Sequence, residues 1–275
     1  HLIFNGYKGY NYVSIFPKFL QNFIRKLLIF FYGYQRWYNF IVFEKNLDTT
    51  RLEKSKNLIY KKITSYGKRV CHSPIFDGDK KYFNDRNLPT SKWGTYILSF
   101  LNKTYEEIYN NYKRSARKPI NQTRSKGIYI KILQETDIKR YADWLQLNQK
   151  ETGKNYAVSE KSIKKDLSFM KKNGYVNEIF VAYLNDTILG SLGVWGFGNF
   201  ISEHGVNISS YAKKNKIYVQ DLIKDEIIKY CINNNFKYYD LSGFNPSKNA
   251  SEKEKSIKFF KKKFNGMEII YEQIL

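Results

Sequence analysis

Cysteine and histidine are nearly missing from this chain. Two cysteines, Cys71 and Cys231, and three histidines, His1, His72 and His204, are spread over 275 residues. Neither set has the spacing of metal ligands, so no zinc site and no Ser-His-Asp triad is expected. Two distant thiols do not make a disulfide scaffold, and the compartment reads as reducing. Cys71 and His72 are adjacent on an expected strand. Their side chains then point to opposite faces, and the pair reads as structural. Proline is scarce, at five residues, and the Pro- and Gly-rich linkers that mark independent domains are missing. Acidic residues are few: 25 Asp and Glu stand against 47 Lys and Arg, a net charge of +22. No apolar run reaches the roughly 20 residues a spanning helix needs. The richest stretch, residues 16–40, contains Leu27-Leu28-Ile29-Phe30-Phe31-Tyr32 but is broken by Lys18, Arg25, Lys26 and Arg36. It reads as core packing, with an interfacial helix on a membrane surface as the alternative.

Aromatic residues are abundant, with 24 Tyr, 20 Phe and 4 Trp. Such a chain buries a real core and folds as one large or two small domains. It opens at His1 and not at Met, which reads as a fragment or a processed product. Two readings of the positive charge stand. One is a polyanionic partner, such as RNA, a nucleotide-linked sugar or an anionic membrane surface. The other is a solvated lysine-rich surface.

Periodicity places a helix over residues 48–66 and strands over 69–76 and 93–100. Thr104 caps the next helix, with Glu107 as its capping-box partner. Tyr105, Ile108, Tyr109, Tyr112 and Ala116 share one face of it, and Pro119 is expected to end or kink it near Lys118. A strand over 128–133 precedes a helix capped by Thr136, with Ile138, Tyr141, Ala142 and Leu145 as its stripe. Ser159 opens another helix, with Ile163, Leu167 and Met170 inward. Three strands follow, over 178–184, 187–195 and 200–206, the first two joined by the tight turn Asn185-Asp186. A helix over 218–231 turns Val219, Leu222, Ile223, Ile227 and Tyr230 inward. The last elements are a strand over 236–241, a helix over 256–264 and a strand over 267–271. This order predicts an α+β fold, a mixed sheet flanked by helices.

Tyr238-Tyr239-Asp240-Leu241-Ser242-Gly243, then Ile257-Lys258-Phe259-Phe260-Lys261-Lys262-Lys263-Phe264-Asn265-Gly266, resemble the C-terminal signature of the FemAB-like transferases. Leu88-Pro89, Thr95-Tyr96-Ile97-Leu98, Glu106-Glu107, Lys113-Arg114-Ser115-Ala116-Arg117 and Lys126-Gly127-Ile128 look like earlier parts of the same pattern. The resemblance spans residues 88–275; residues 1–66 show no match. It implies two GNAT-like domains, here 1–125, incomplete or degenerate, and 126–275, a C-terminal acyltransferase domain. It implies transfer of an acyl or aminoacyl group to an amine on a cell-wall or surface-glycan precursor. The donor is then aminoacyl-tRNA, with acyl-CoA as the alternative, and the acceptor an anionic nucleotide- or lipid-linked precursor. No bound cofactor is implied. The implied place is the cytoplasm, or the inner membrane surface.

The resemblance makes Lys261 the lysine of the family's Phe-Lys motif, stabilising an oxyanion or a donor phosphate. A solvated lysine in the run Lys258, Lys261, Lys262 and Lys263 is the plainer alternative. Asn265-Gly266 departs from the family's Phe-Gly. Phe260 is either a substrate contact or, with Phe264, a core anchor. Asp240 and Ser242 stand at the end of a buried strand, where open sheets hold ligands. Asp240 either takes a proton from the acceptor amine or caps the next segment. Of Glu203 and His204, neighbours on one strand, one must face the cleft or core. His204 is an acid/base or a structural histidine. Arg114 and Arg117 clamp a phosphate, or form a surface pair bound to Glu106 or Asn110. GNAT enzymes that use coenzyme A grip the pyrophosphate with a glycine loop, and residues 211–218 hold no glycine. Lys213, Lys214 and Lys216 either supply charge there or form a solvated loop. The rival readings are a CoA-dependent N-acetyltransferase on a nucleotide sugar or small amine, and a noncatalytic RNA- or membrane-surface-binding protein.

Overall fold

A computed structural model describes residues 6–7, 36–37, 74–75, 90–153, 158–172 and 174–274. Chain contacts divide the protein into two compact units, His1–Trp93 with Ile270–Leu275, and Gly94–Ile269. In the first unit the described strands are short. Gly6–Tyr7 pairs antiparallel with Arg36–Trp37, and Pro74–Ile75 with Gln273 and Glu272. The expected helix over 48–66, the Cys71-His72 pair and most of the apolar stretch 16–40 lie outside the described residues.

The second unit carries the motifs, and residues 94–125 belong to it with 126–269. From Thr90 on, the elements of the chain run β1 (Thr90–Ser99), α1 (Tyr105–Asn111), α2 (Arg114–Ser125), β2 (Tyr129–Ile132), α3 (Ile138–Glu151), α4 (Glu160–Lys172), β3 (Val176–Leu184), β4 (Thr187–Phe197), β5 (Phe200–Ile208), α5 (Ser210–Lys214), α6 (Val219–Asn233), β6 (Tyr238–Phe244), α7 (Glu252–Lys262) and β7 (Met267–Ile274). The strands order as β7-β1-β6-β5-β4-β3-β2 in one mixed sheet. Neighbours from β2 to β5, and β6 with β1, are antiparallel, while β5 and β6 run parallel.

Alternation on the central strands sets the two layers. Phe180 and Ala182 of β3 enter the core formed with α1, α2 and α6, while Val181 and Tyr183 enter a second cluster with α3 and α4. Ile138, Tyr141, Ala142 and Leu145 form the buried stripe of α3, as their spacing predicts. Its cap differs: a short 3-10 turn, Glu135–Asp137, precedes the helix, so Thr136 is not the cap.

The helix opened by Thr104 also differs. Its capping box with Glu107 is present, but the shared face of Tyr105 to Ala116 belongs to two helices. Tyr112 and Lys113 are extended, with ψ of 145° and 153°. The break falls there and not at Pro119, which sits inside α2. Its missing N–H removes one helical bond to Ser115. Burial of Ala116, Ile120 and Thr123 on either side holds the helix against α6.

Two boundaries near the C-terminus move as well. β6 continues past Asp240 through Gly243 to Phe244, because β1 supplies partners: Thr95 opposes Gly243 and Gly94 opposes Phe244. The helix expected over 256–264 begins earlier, at Glu252, where Ser251 and Glu254 form a capping box. Ser251→Ala should lower stability by about 1 kcal/mol, read from a urea melt.

Candidate active site

The parallel pairing of β5 and β6 is brief. Phe200 opposes Tyr238, Ile201 opposes Tyr239 and Ser202 opposes Asp240, and the pairing stops there. From Glu203 on β5 and Leu241 on β6 onward the two strands no longer bond to each other. The sheet opens at the carboxyl ends of two parallel strands, where open sheets hold ligands.

A cluster of buried charges gathers at this opening. Glu203 is 4% exposed, Lys224 1% and Lys261 7%. The two carboxylate oxygens of Glu203 divide the work. Oε2 accepts from Lys224 Nζ and, at 2.9 Å, from the Tyr239 hydroxyl. Oε1 lies 3.8 Å from Lys261 Nζ. Lys261 Nζ donates at 2.9 Å to the carbonyl of Gly243. Lys263, just past α7, pairs closely with the buried Asp221 in the first turn of α6. Of these three lysines, Lys261 alone lacks a carboxylate in close contact. Burial pushes its pKa down to about 8, opposed by Glu203 and reinforced by the charge of Lys224.

On the neighbouring position of β6, Asp240 is also buried, but it is enclosed. Ser242 N donates to its Oδ1 at 2.8 Å, the Thr95 hydroxyl touches the same oxygen, and Ser202 Oγ lies 3.4 Å from Oδ2. The Thr95 oxygen is also 2.8 Å from the Ser242 carbonyl. One hydroxyl has a single hydrogen. The Thr95 hydroxyl donates to the Asp240 carboxylate and so favours its charged form. Burial drives the Asp240 pKa upward, opposed by the bonds from Thr95 and Ser242 and by the charge of Lys261. The bonds hold Ser242 at φ +64°, a left-handed backbone uncommon outside glycine, and so fix the chain immediately before Gly243.

The structure places the other candidates as follows. Ser242 contributes backbone groups to this brace. Phe260 packs partly buried against the core, and its ring faces Lys263 at 4.0 Å and Lys224 at 5.6 Å. Phe264 is a core residue, 1% exposed. His204 is exposed on β5, with its imidazole over Gly193, where a Cβ would stand 2.5 Å from the ring. Glu203 and His204 thus part to opposite faces, as strand alternation requires. Arg117 donates to the Asn110 carbonyl, and Arg114 is exposed beside it. The start of α2 reaches the end of α7 through Lys113 N bonding to Lys263 O at 2.9 Å. Lys213 and Lys214 are exposed on α5, and Lys216 turns the chain with φ +49° where a glycine would be favoured. A described cavity of about 420 Å³, lined by Phe100, Lys103, Thr104, Asn235 and Lys237, lies at the opposite end of β6. Among the described residues no group of His, Cys, Asp and Glu is arranged to hold a metal, and no helix is long and apolar enough to cross a membrane.

Lys224, Lys263 and Asp221 were not among the sequence-derived candidates. The periodicity of α6 puts Lys224 and Asp221 off its apolar face. In the structure α6 is covered by the sheet on one side and by α1 and α2 on the other, so its polar positions are buried too. Asp225 is fully buried and bonds Tyr105 and Arg124. The usable signal was the presence of charges inside a helix that is otherwise apolar.

The fold that holds this opening is a mixed sheet flanked by helices. No family model matches the sequence, and no curated protein matches it significantly. Solved structures do share the fold. The C-terminal domain of a lysylphosphatidylglycerol synthetase from Agrobacterium fabrum superposes with a TM-score of 0.60 at 11% identity, covering 87% of this chain and 76% of that one. FemX matches with a TM-score of 0.59 at 13% identity, covering 88% of this chain and 81% of its own. L-PGS from Bacillus licheniformis matches at 0.57 and 12% identity, over 88% and 77% of the two chains.

Proposed function

We propose that this protein is an aminoacyltransferase of cell-envelope synthesis, moving an aminoacyl group from a carrier ester to an amino group on an anionic precursor. The observation that carries the reading is Lys261. It is a buried ammonium that pairs with Glu203 only at 3.8 Å, sharing that carboxylate with Lys224, and it is set where β5 and β6 part. Attack by an amine on an ester makes a tetrahedral intermediate with negative charge on the former carbonyl oxygen. A fixed cation in a poorly solvated place lowers that barrier far more than one in water. The names of the similar structures, a synthetase of lysylphosphatidylglycerol and FemX, support the same class of chemistry.

Two features favour a charged tRNA over coenzyme A as donor. Residues 211–218 hold no glycine. The first turn of α6, which would grip a pyrophosphate through its dipole, instead contains Asp221, whose carboxylate already takes Lys263. The exposed arginine Arg114 and lysines Lys213 and Lys214 suit an anionic carrier or acceptor. His204 stands on the face of β5 opposite Glu203 and Lys261, and its pKa is lowered to about 4, so it is not the base for the acceptor amine at this centre. Asp240 is enclosed and acts by holding Ser242 and Gly243. A cytoplasmic site of action, at the inner membrane surface for a lipid-linked acceptor, fits these substrates.

A mass-shift assay tests the reading. The protein is incubated with envelope precursors and either charged tRNA or acetyl-CoA, with Lys261→Ala in parallel. We expect an aminoacyl adduct that needs charged tRNA and falls by about 10²–10³-fold in the variant. An adduct formed only with acetyl-CoA would move the protein to the N-acetyltransferases. Transfer should also decline as pH rises through about 8, because the working ammonium of Lys261 is then lost. Activity that stays level from pH 7 to pH 9.5 would remove Lys261 from this role.

A further inference from the structure

We propose that Glu203 and Lys224 are positioning residues for Lys261: Lys224 takes one side of the Glu203 carboxylate, so Glu203 anchors the Lys261 ammonium against Gly243 without cancelling its charge. This rests on the role assigned to Lys261 above and names what maintains it.

The geometry is specific. Glu203 is the first residue of β5 beyond the parallel pairing, and its side chain meets groups from α6, α7 and β6. From α6, Lys224 bonds Oε2; from β6, the Tyr239 hydroxyl bonds the same oxygen at 2.9 Å. Oε1 is left for Lys261 at 3.8 Å, beyond hydrogen-bond reach. The ammonium bonds the Gly243 carbonyl instead. A simple Glu203–Lys261 pair would be neutral and would offer nothing to an incoming oxyanion. With Lys224 added, one carboxylate serves two ammonium groups, and the trio holds one net positive charge. Asp221, also on α6, is taken by Lys263. Asp240 of β6 is enclosed by Thr95, Ser202 and Ser242 and, like Glu203, raises the pKa of Lys261. The aromatic face nearest Lys224 and Lys263 is Phe260. A residual positive charge, buried and already oriented, suits a phosphate or a carboxyl-derived oxyanion.

Glu203 and Lys224 pull the titration of Lys261 in opposite directions. A nearby charge moves a pKa by about 1–3 units. The titration of Lys261 is read from the 13Cε resonance of lysine-labelled protein, assigned by its absence in Lys261→Arg. Glu203→Gln should move the Lys261 midpoint down by about one unit, and Lys224→Met should move it up by a similar amount. The double variant should fall between them. Midpoints that move in the same direction, or not at all, overturn the proposal, because packing alone gives no reason for opposite signs. If Glu203→Gln does not fold, the sign for Lys224→Met decides: an upward shift supports the proposal, and a downward shift or none overturns it. The readout needs no substrate. Opposite shifts in a protein that transfers nothing would leave the positioning intact and refute the transferase reading alone.

Discussion

Replacing Lys261 by methionine should make the protein more stable while removing its transfer activity. Lys261 is 7% exposed, and its ammonium is shed more readily than an ordinary lysine's: the pKa falls from 10.5 to about 8, chiefly through burial. A drop of this size corresponds to about 3 kcal/mol of stability withheld at neutral pH. Methionine fills similar volume and relieves this cost. The variant loses the bond to the Gly243 carbonyl, worth about 1 kcal/mol. Glu203 keeps Lys224 and Tyr239, so no carboxylate is stranded. The expected net gain is about 1–3 kcal/mol in urea unfolding at pH 7. The sign of its pH dependence follows from linkage. Above about pH 8 the native state releases the Lys261 proton while the unfolded chain still holds it, so native stability rises with pH toward 10.5. The advantage of the methionine variant should therefore shrink over that interval. A variant less stable than the native protein at pH 7 would mean that the ammonium is compensated within the fold, and Lys261 would be a structural residue.

The opposite result is expected for its neighbour two positions on. Lys263→Ala should cost about 3–5 kcal/mol, because it strands the carboxylate of Asp221 in the interior. Asp221 is 2% exposed, and burial already drives its pKa up while Lys263 and Lys224 hold it down. Without Lys263 that upward drive is opposed less, and the native state of the variant holds a proton that the unfolded chain releases. Stability then falls as pH rises from the unfolded carboxylate range toward the raised native value. The denaturant midpoint of Lys263→Ala should improve as pH is lowered from 7 to 5. A loss under about 1 kcal/mol, or one that deepens on acidification, would show that the ion pair does not bind α6 to the end of α7. Two lysines in one run, Lys261 and Lys263, thus differ in the sign of their effect because Lys263 pairs closely with Asp221, while Lys261 lies 3.8 Å from Glu203 and shares it with Lys224.

That run shows where local pattern stops being informative. Lys258, Lys261, Lys262 and Lys263 look equivalent in sequence, and a solvated face is the ordinary reading. In the fold Lys258 meets Glu268 near the surface, Lys262 faces solvent, and Lys261 and Lys263 are buried. Helical spacing alone does not separate them, because Lys263 already lies beyond the last turn of α7. The break at Tyr112-Lys113 has a similar cause. An aromatic stripe from Tyr105 to Ala116 satisfies helical periodicity, yet the chain turns there so that Tyr112 packs edge-on against Phe264 and Lys113 N bonds Lys263 O. Tertiary contacts outweighed a continuous helix whose propensity gain is small per residue.

By itself the sequence determined the class of fold. Its alternating strands, the stripes of α3 and α4 and the Thr104 capping box are interactions between residues close in the chain, and they leave periodic marks. It also singled out Lys261 and Asp240, through the order of motifs, and Glu203 or His204, through strand alternation. Only the tertiary structure decided what these residues do to one another. Glu203 lies on β5, Lys224 on α6 and Lys261 on α7, and they meet because β5 and β6 part after Ser202 and Asp240. The charge left on Lys261 depends on which carboxylates are already occupied and how much water is excluded. Both are properties of the assembled core, and no spacing along the chain encodes them.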